Sequence, residues 1–191
     1  MRLAGQRPMG DEGEMTFDLQ PVLRGELVLL RPLRADDFAA LFSVAADPLI
    51  WEQHPATDRH QPEPFRAFFD ESLRSGGALV AVERSTDRII GSSRYHAHDE
   101  AKREVEIGWT FLGRTYWGGR YNGEMKRLML EHAFRFVDRV VLLVGETNHR
   151  SRRATEKIGG VRVGSRPDAS GRESIVYEVR ATAFMRGPRV L

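Results

Sequence analysis

Between residues 104 and 144 the chain reads EVEIGWTFL, then GRTYWGGRYNGEMKRLML, and finally RVVLLV, an order that restricts the fold more than any other feature. The first piece has strand character, and the last is apolar at nearly every position, as in a strand buried on both faces. Between them Met125, Leu128, Met129, His132, Ala133 and Phe136 recur at helical spacing, predicting a helix that runs to about Val137. Two strands joined through a helix form a parallel crossover. Gly118, Gly119 and Gly123 crowd the start of that helix, where glycine is unfavourable. A bare backbone at a helix N-terminus suits an anion, because the first N–H groups lack internal partners and carry the positive dipole end. Phosphate binding and a plain tight turn both fit the glycines, and the spacing matches neither GxxxxGK[ST] nor GxGxxG.

The remaining elements surround this unit. Glu26–Leu33 reads as a strand ending at Pro32, followed by a short helix capped at Asp36 or Asp37 and stopped by Asp47-Pro48. Residues 49–61 are turn-like. Residues 63–74 form a second helix with Phe65, Phe68, Phe69 and Leu73 on one face, ended by Gly76-Gly77. Strands at 78–83, 89–96 and 104–112 follow in succession, as in an antiparallel meander. After the apolar strand, a short helix starts at Asn148 and stops at Gly159-Gly160, and strands at 161–165 and 173–179 flank a turn. The expected fold class is α/β: one domain over residues 21–191, a mixed, mostly antiparallel sheet with one parallel pair and helices on both faces. Residues 1–20 read as a flexible lead-in, with Met15 an alternative start.

A chain of 191 residues is long enough for a single real core, and no apolar run approaches a membrane span. The first twenty residues lack the apolar stretch of a signal peptide. With no cysteine there are no disulfides, thiolate metal sites or cysteine nucleophiles, and a cytoplasmic location is expected. A net charge of +2 argues against nucleic acid as the main partner. Lys102, Lys126 and Lys157 are the only lysines, so arginine fills most basic positions and a single arginine carries little weight. Six scattered histidines show no ligand spacing, and no metal is expected.

Glu106-Ile-Gly-Trp, then Tyr116-Trp-Gly-Gly-Arg-Tyr-Asn-Gly-Glu124, then Asn148-His-Arg-Ser151 and Glu156-Lys-Ile-Gly159 resemble the GNAT superfamily of N-acetyltransferases. The similarity is to the RimJ/RimL-like branch and extends over roughly residues 26–179. Arg120 stands where that family has glycine, Asn122-Gly123 replaces an Ala-Thr pair, and Gly160 replaces an aromatic. The resemblance implies acetyl-CoA as acyl donor, its pantetheine arm lying between the two parallel strands where they splay apart. It implies donor contacts from Trp109, Thr110, Arg114, Trp117, Gly118, Gly119, Arg120, Tyr121, Asn122, Gly123, Asn148, Ser151 and Arg152. The basic run His149–Arg153 would lie near the ribose phosphate.

Transfer to an amine requires a base, because an α-amine has a reference pKa near 8 and lysine one near 10.4. By resemblance Glu106 is that base, and strand alternation puts Glu104 and Glu106 on one face with Val105 and Ile107 on the other. Many relatives place an acidic tyrosine where this chain has Thr155, leaving Ser151 as the candidate that meets the departing thiolate. Gly108 is a candidate for the local strand distortion. Glu124 reads as a first-turn residue favouring the helix dipole. The acceptor, a small-molecule or protein N-terminal amine, is expected near Trp51, His54 and His96. A homodimer is compatible with the fold. A non-catalytic acyl-CoA sensor and an unrelated nucleotide- or nucleic-acid-binding module are the alternatives.

Overall fold

A computed structural model describes residues 16–168 and 170–186. Its elements are β1 (Leu23–Arg24), β2 (Val28–Pro32), α1 (Phe38–Ala45), α2 (Pro62–Arg74), β3 (Ala78–Glu83), β4 (Arg88–Asp99), β5 (Glu104–Leu112), α3 (Arg120–Ala133), β6 (Arg139–Gly145), α4 (His149–Lys157), β7 (Val161–Pro167), β8 (Glu173–Arg180) and α5 (Ala181–Phe184). The eight strands form one sheet in the order β1-β2-β3-β4-β5-β6-β8-β7. Only β5 and β6 run parallel, with α3 crossing between them. The mixed sheet and its crossover match the expectation from sequence. No helix among the described residues is long and apolar enough to cross a membrane.

Each face of the sheet buries its own core. On one side Met125, Leu128 and Met129 of α3 pack on Leu30, Leu79, Val105 and Val140. On the other, Leu41 of α1 and Phe65, Phe68 and Phe69 of α2 pack on Val80, Val82 and Phe111. The phenylalanine face of α2 is nearly fully buried, which stabilises by about 1.5–3 kcal/mol per side chain.

Three expectations are corrected. The α3 helix stops at Ala133 rather than Val137; Phe136 and Val137 still bond to the Ala133 carbonyl in the turns that follow. Residues 16–20 are docked, not a free lead-in: Phe17 stacks on Phe136 at 5.0 Å and meets Tyr95 edge-on, while His132 Nε2 lies 2.7 Å from the Asp18 carbonyl. Met15 and the residues before it lie outside the described residues. Finally, Glu124 sits past the first turn of α3. Its carboxylate accepts the backbone N–H groups of Glu26, Leu27 and Val28, each at 2.8 Å, and so pins the helix to the β1–β2 turn.

Candidate active site

Strands β5 and β6 stay in register only at Glu104–Arg139, Val105–Val140 and Glu106–Val141. Beyond Glu106 they separate, as expected, leaving backbone groups of β5 unpaired on that side. The distortion that accompanies the separation is a bulge, with Trp109 and Thr110 opposite the single residue Ser93 of β4. Its left-handed residue is Trp109 (φ +51°) rather than Gly108. The bulge also switches the alternation. Val105 and Ile107 face α3, but Phe111 faces α1 and α2.

A cleft of about 270 Å³ opens where the two strands part, and Glu106, Trp109, Asn148 and Ser151 all line it. Glu104 is consumed by an ion pair to Arg139 at 2.8 Å. Glu106 is 8% exposed, and its nearest cation is Arg166 at 4.0 Å. Burial pushes its carboxyl up to about 7, with Arg166 opposing the rise. Asn148 caps α4 by accepting the Ser151 N–H at 3.1 Å, which fixes Ser151 at the cleft wall. Thr155, at the position where many relatives have tyrosine, is buried and close to Gly160. A Cβ on Gly160 would come within 2.7 Å of the Thr155 methyl, which accounts for the missing aromatic there.

At the far end of β5, Gly118 (φ +98°) and Gly119 (φ +145°) precede α3 in conformations that disfavour other residues. The first bond of the helix runs from the Gly123 N–H to the Gly119 carbonyl at 2.8 Å. The N–H groups of Arg120, Tyr121 and Asn122 come before it and have no intrahelical acceptor. Nothing lies within 4 Å of where a Cβ would stand on Gly118, Gly119 or Gly123, so the turn is open on that side. Such a turn fits the diphosphate of an acyl-CoA.

Other candidates do not line the cleft and are engaged in contacts within the fold. Tyr121 and Tyr116 both donate to Glu83, at 2.8 and 3.1 Å. The indole N–H of Trp117 donates to the Leu112 carbonyl, and Arg150 lies 3.9 Å over its ring. Arg150 also donates to the Ile50 carbonyl at 2.7 Å, so this member of the basic run is a strut between α4 and the 48–55 loop. Arg152 contacts the Tyr177 hydroxyl and the Glu146 carbonyl. Arg114 pairs with Asp47, and Thr110 turns toward Ser93 and Lys126.

On the acceptor side the structure separates the three candidates. His54 lines the cleft and is held neutral, with a pKa near 4, chiefly by burial. Trp51 does not meet the cleft. It is 2% exposed, in the α2 core, with its indole N–H on the Ala45 carbonyl at 2.8 Å; it supports His54 edge-on instead. His96 does not line the cleft; it stands opposite Glu106 in the β4–β5 register and meets Trp109 at 4.9 Å between ring centroids. Sequence reasoning missed Arg59 and, from the turn after β7, Asp168, Ser170 and Arg172, all of which line the cleft. In a chain so rich in arginine nothing distinguishes Arg59, and the turn reads only as a hairpin connection. Among the described residues no group of three His, Cys, Asp or Glu is placed to hold a metal ion.

A splayed parallel pair with a glycine-rich turn feeding the crossover helix defines the acyl-CoA N-acyltransferase class of fold. The family model for the GNAT acetyltransferase domain matches residues 28–161, and the chain belongs to that acyltransferase family. Solved structures agree in fold. A GCN5-related N-acetyltransferase from Brucella melitensis superposes with a TM-score of 0.76 at 19% identity, covering 87% of this chain and 81% of its own. A GNAT-family acetyltransferase from Bacillus anthracis gives 0.68 at 19%, covering 84% and 98%. RimJ of Mycobacterium smegmatis, solved with CoA-disulfide, gives 0.65 at 19%, covering 84% and 85%.

Proposed function

We propose that this protein transfers the acetyl group of acetyl-CoA to a primary amine by direct attack within a ternary complex. The open turn at 118–123 and the first N–H groups of α3 hold the diphosphate, with Arg120 adding charge at the helix start. Backbone groups of β5 released beyond Glu106 bind the pantetheine arm and polarise the thioester carbonyl. The donor supplies an electrophilic acyl carbon and a thiol leaving group. Glu106 takes the proton from the acceptor ammonium, directly or through a water. The Ser151 hydroxyl, at the same cleft wall, meets the departing sulfur, whose reference pKa near 8.5 makes it a ready leaving group. His54 borders the acceptor's approach.

The observation that carries this reading is Glu106 itself. It is buried at the point where β5 and β6 part, spared the ion pair that occupies Glu104, and its affinity for protons is raised toward neutrality. Such a carboxylate is suited to accept a proton at physiological pH.

Calorimetry with acetyl-CoA and, separately, with ATP tests the donor site. The expected result is acetyl-CoA binding without ATP binding, and a loss of roughly tenfold or more in Gly119→Val, where a β-branched side chain meets φ +145°. Thiol release over a panel of primary amines tests the transfer. Unchanged acetyl-CoA affinity in Gly119→Val removes the turn from the donor site, and thiol release that no amine accelerates overturns the activity.

A further inference from the structure

Arg59 reaches the cleft from the loop between α1 and α2, and Arg172 reaches it from the turn between β7 and β8. Among the described residues neither has a carboxylate within ion-pair distance. The other charged groups nearby are accounted for. Arg94 is paired with Glu71 at 2.9 Å, and Arg166 lies against Glu106. Asp168 spends one oxygen on the Ser170 N–H at 2.8 Å, the Ser170 hydroxyl at 2.6 Å and the Arg172 N–H at 3.1 Å. Arg172 uses its Nε on the Ser170 hydroxyl, leaving its terminal nitrogens uncommitted.

The surroundings of Arg59 are more telling. Its guanidinium lies 4.4 Å from the Phe68 ring centroid, and its nearest side-chain polar neighbour is His54 Nε2 at 3.4 Å. His54 Nδ1 accepts the Ala56 N–H at 2.9 Å, so in the neutral ring the proton sits on Nε2. An N–H of Arg59 therefore meets an N–H of His54, two donors with no acceptor between them. Burial, with Arg94 and Arg172 adding to it, pulls the guanidinium down to about 10; Glu71 and Asp58 oppose the fall from beyond ion-pair distance and do not offset it. Leaving such donors without an acceptor is costly, and a planar guanidinium fork matches an oxyanion.

We propose that the acceptor is a small amine carrying an oxyanion, a carboxylate or phosphoryl group, which Arg59 and the His54 Nε2–H receive and Arg172 attracts while the amine faces Glu106. This rests on the amine-acetylation reading of the cleft and names the substrate class it selects. Binding the charged end on the acceptor wall would fix the amine's position and sort substrates by charge, independently of the donor.

The test is a panel of primary amines in matched pairs: amino acids against their amides, and aminoalkyl phosphates against the parent amino alcohols. Turnover is read as kcat/KM by thiol release, and binding by calorimetry on the enzyme saturated with coenzyme A. Charged members should lead their neutral partners by roughly ten- to a hundredfold, and the two sets of pairs separate carboxylate from phosphoryl recognition. Arg59→Gln should bring that ratio to within about threefold through KM, Arg59→Lys should restore part of it, and Arg172→Gln, on the exposed turn, should lower it in part. Acetyl-CoA affinity serves as the folding control for each variant. Equal or better performance of neutral amines, a ratio preserved in Arg59→Gln, or no panel member bound or turned over would overturn the proposal. Neutral amines acetylated without preference would leave the transferase reading standing, whereas failure to bind acetyl-CoA would strike that reading instead.

Discussion

Glu104 and Glu106 stand two residues apart on one strand face, and their fates diverge through their neighbours. Arg139 takes the first; burial isolates the second and raises its pKa to about 7. A base must be deprotonated to work, so kcat/KM should climb about tenfold per pH unit below 7 and flatten above it. Glu106→Gln should lower kcat by about 10²–10⁴-fold and erase that limb, leaving the acceptor amine's own titration in place; a pH–rate profile of both proteins decides it. The same shift has a stability sign. With a folded pKa above its ordinary value, Glu106 favours folding fully below pH 4.5, and that contribution disappears as pH rises through 7. Glu106→Gln should therefore be more stable than the parent at pH 8, by up to about 3 kcal/mol, as read from urea denaturation.

Lys126 is the mirror case. It is 5% exposed, and its Nζ bonds to Ser93 Oγ at 3.2 Å and Thr110 Oγ1 at 2.5 Å with no carboxylate among its partners. Burial lowers its pKa to about 7. A depressed base supports folding above its ordinary pKa of about 10.5 and loses that support as pH falls toward 7. Lys126→Met should consequently gain about 1–4 kcal/mol at pH 7 and little at pH 10.5, since Ser93 and Thr110 retain each other at 2.8 Å. Equilibrium unfolding at the two pH values tests the difference.

Among the elements, α3 has the most demanding placement, because its N-terminus must stay open at the glycine turn while its flank seals one core. Its glycine-rich entry cannot provide rigidity. Glu124 does, through three charge-assisted bonds to the β1–β2 turn. Gly25 leaves room for the Glu124 carboxylate, since a Cβ there would fall 2.5 Å from it and displace it from its three bonds. Glu124→Ala should cost about 2–4 kcal/mol by denaturant unfolding, more than a surface substitution costs, and should weaken acetyl-CoA binding although the residue lies outside the turn. Strand β5 is the second demanding element. The bulge at Trp109 and Thr110 ends one alternation and starts another, so simple counting from Glu106 assigns Phe111 to the wrong face.

At the scale of the molecule, two cores clamp a sheet whose halves meet through only three β5–β6 register pairs, and the cleft lies where that contact ends. Much of this was legible in the chain. The apolar run at 139–144, the helical spacing of Met125, Leu128 and Met129, and the phenylalanine face of α2 are local periodicities, and local periodicity is set by backbone geometry. The bare glycines at 118 and 119 announced an unusual backbone because positive φ excludes most other residues. Those features determined the element order, the crossover and the position of the glycine turn. What surrounds each side chain was decided only by the tertiary structure: Trp51 drawn into the α2 core, Arg150 made a strut, Glu104 tightly paired, Glu106 left with Arg166 at 4.0 Å, and Arg59 set beside His54 with no carboxylate within ion-pair distance among the described residues. Burial and electrostatic neutralisation depend on residues far apart in the chain, and no spacing within a single strand or helix encodes which distant charge will arrive beside it.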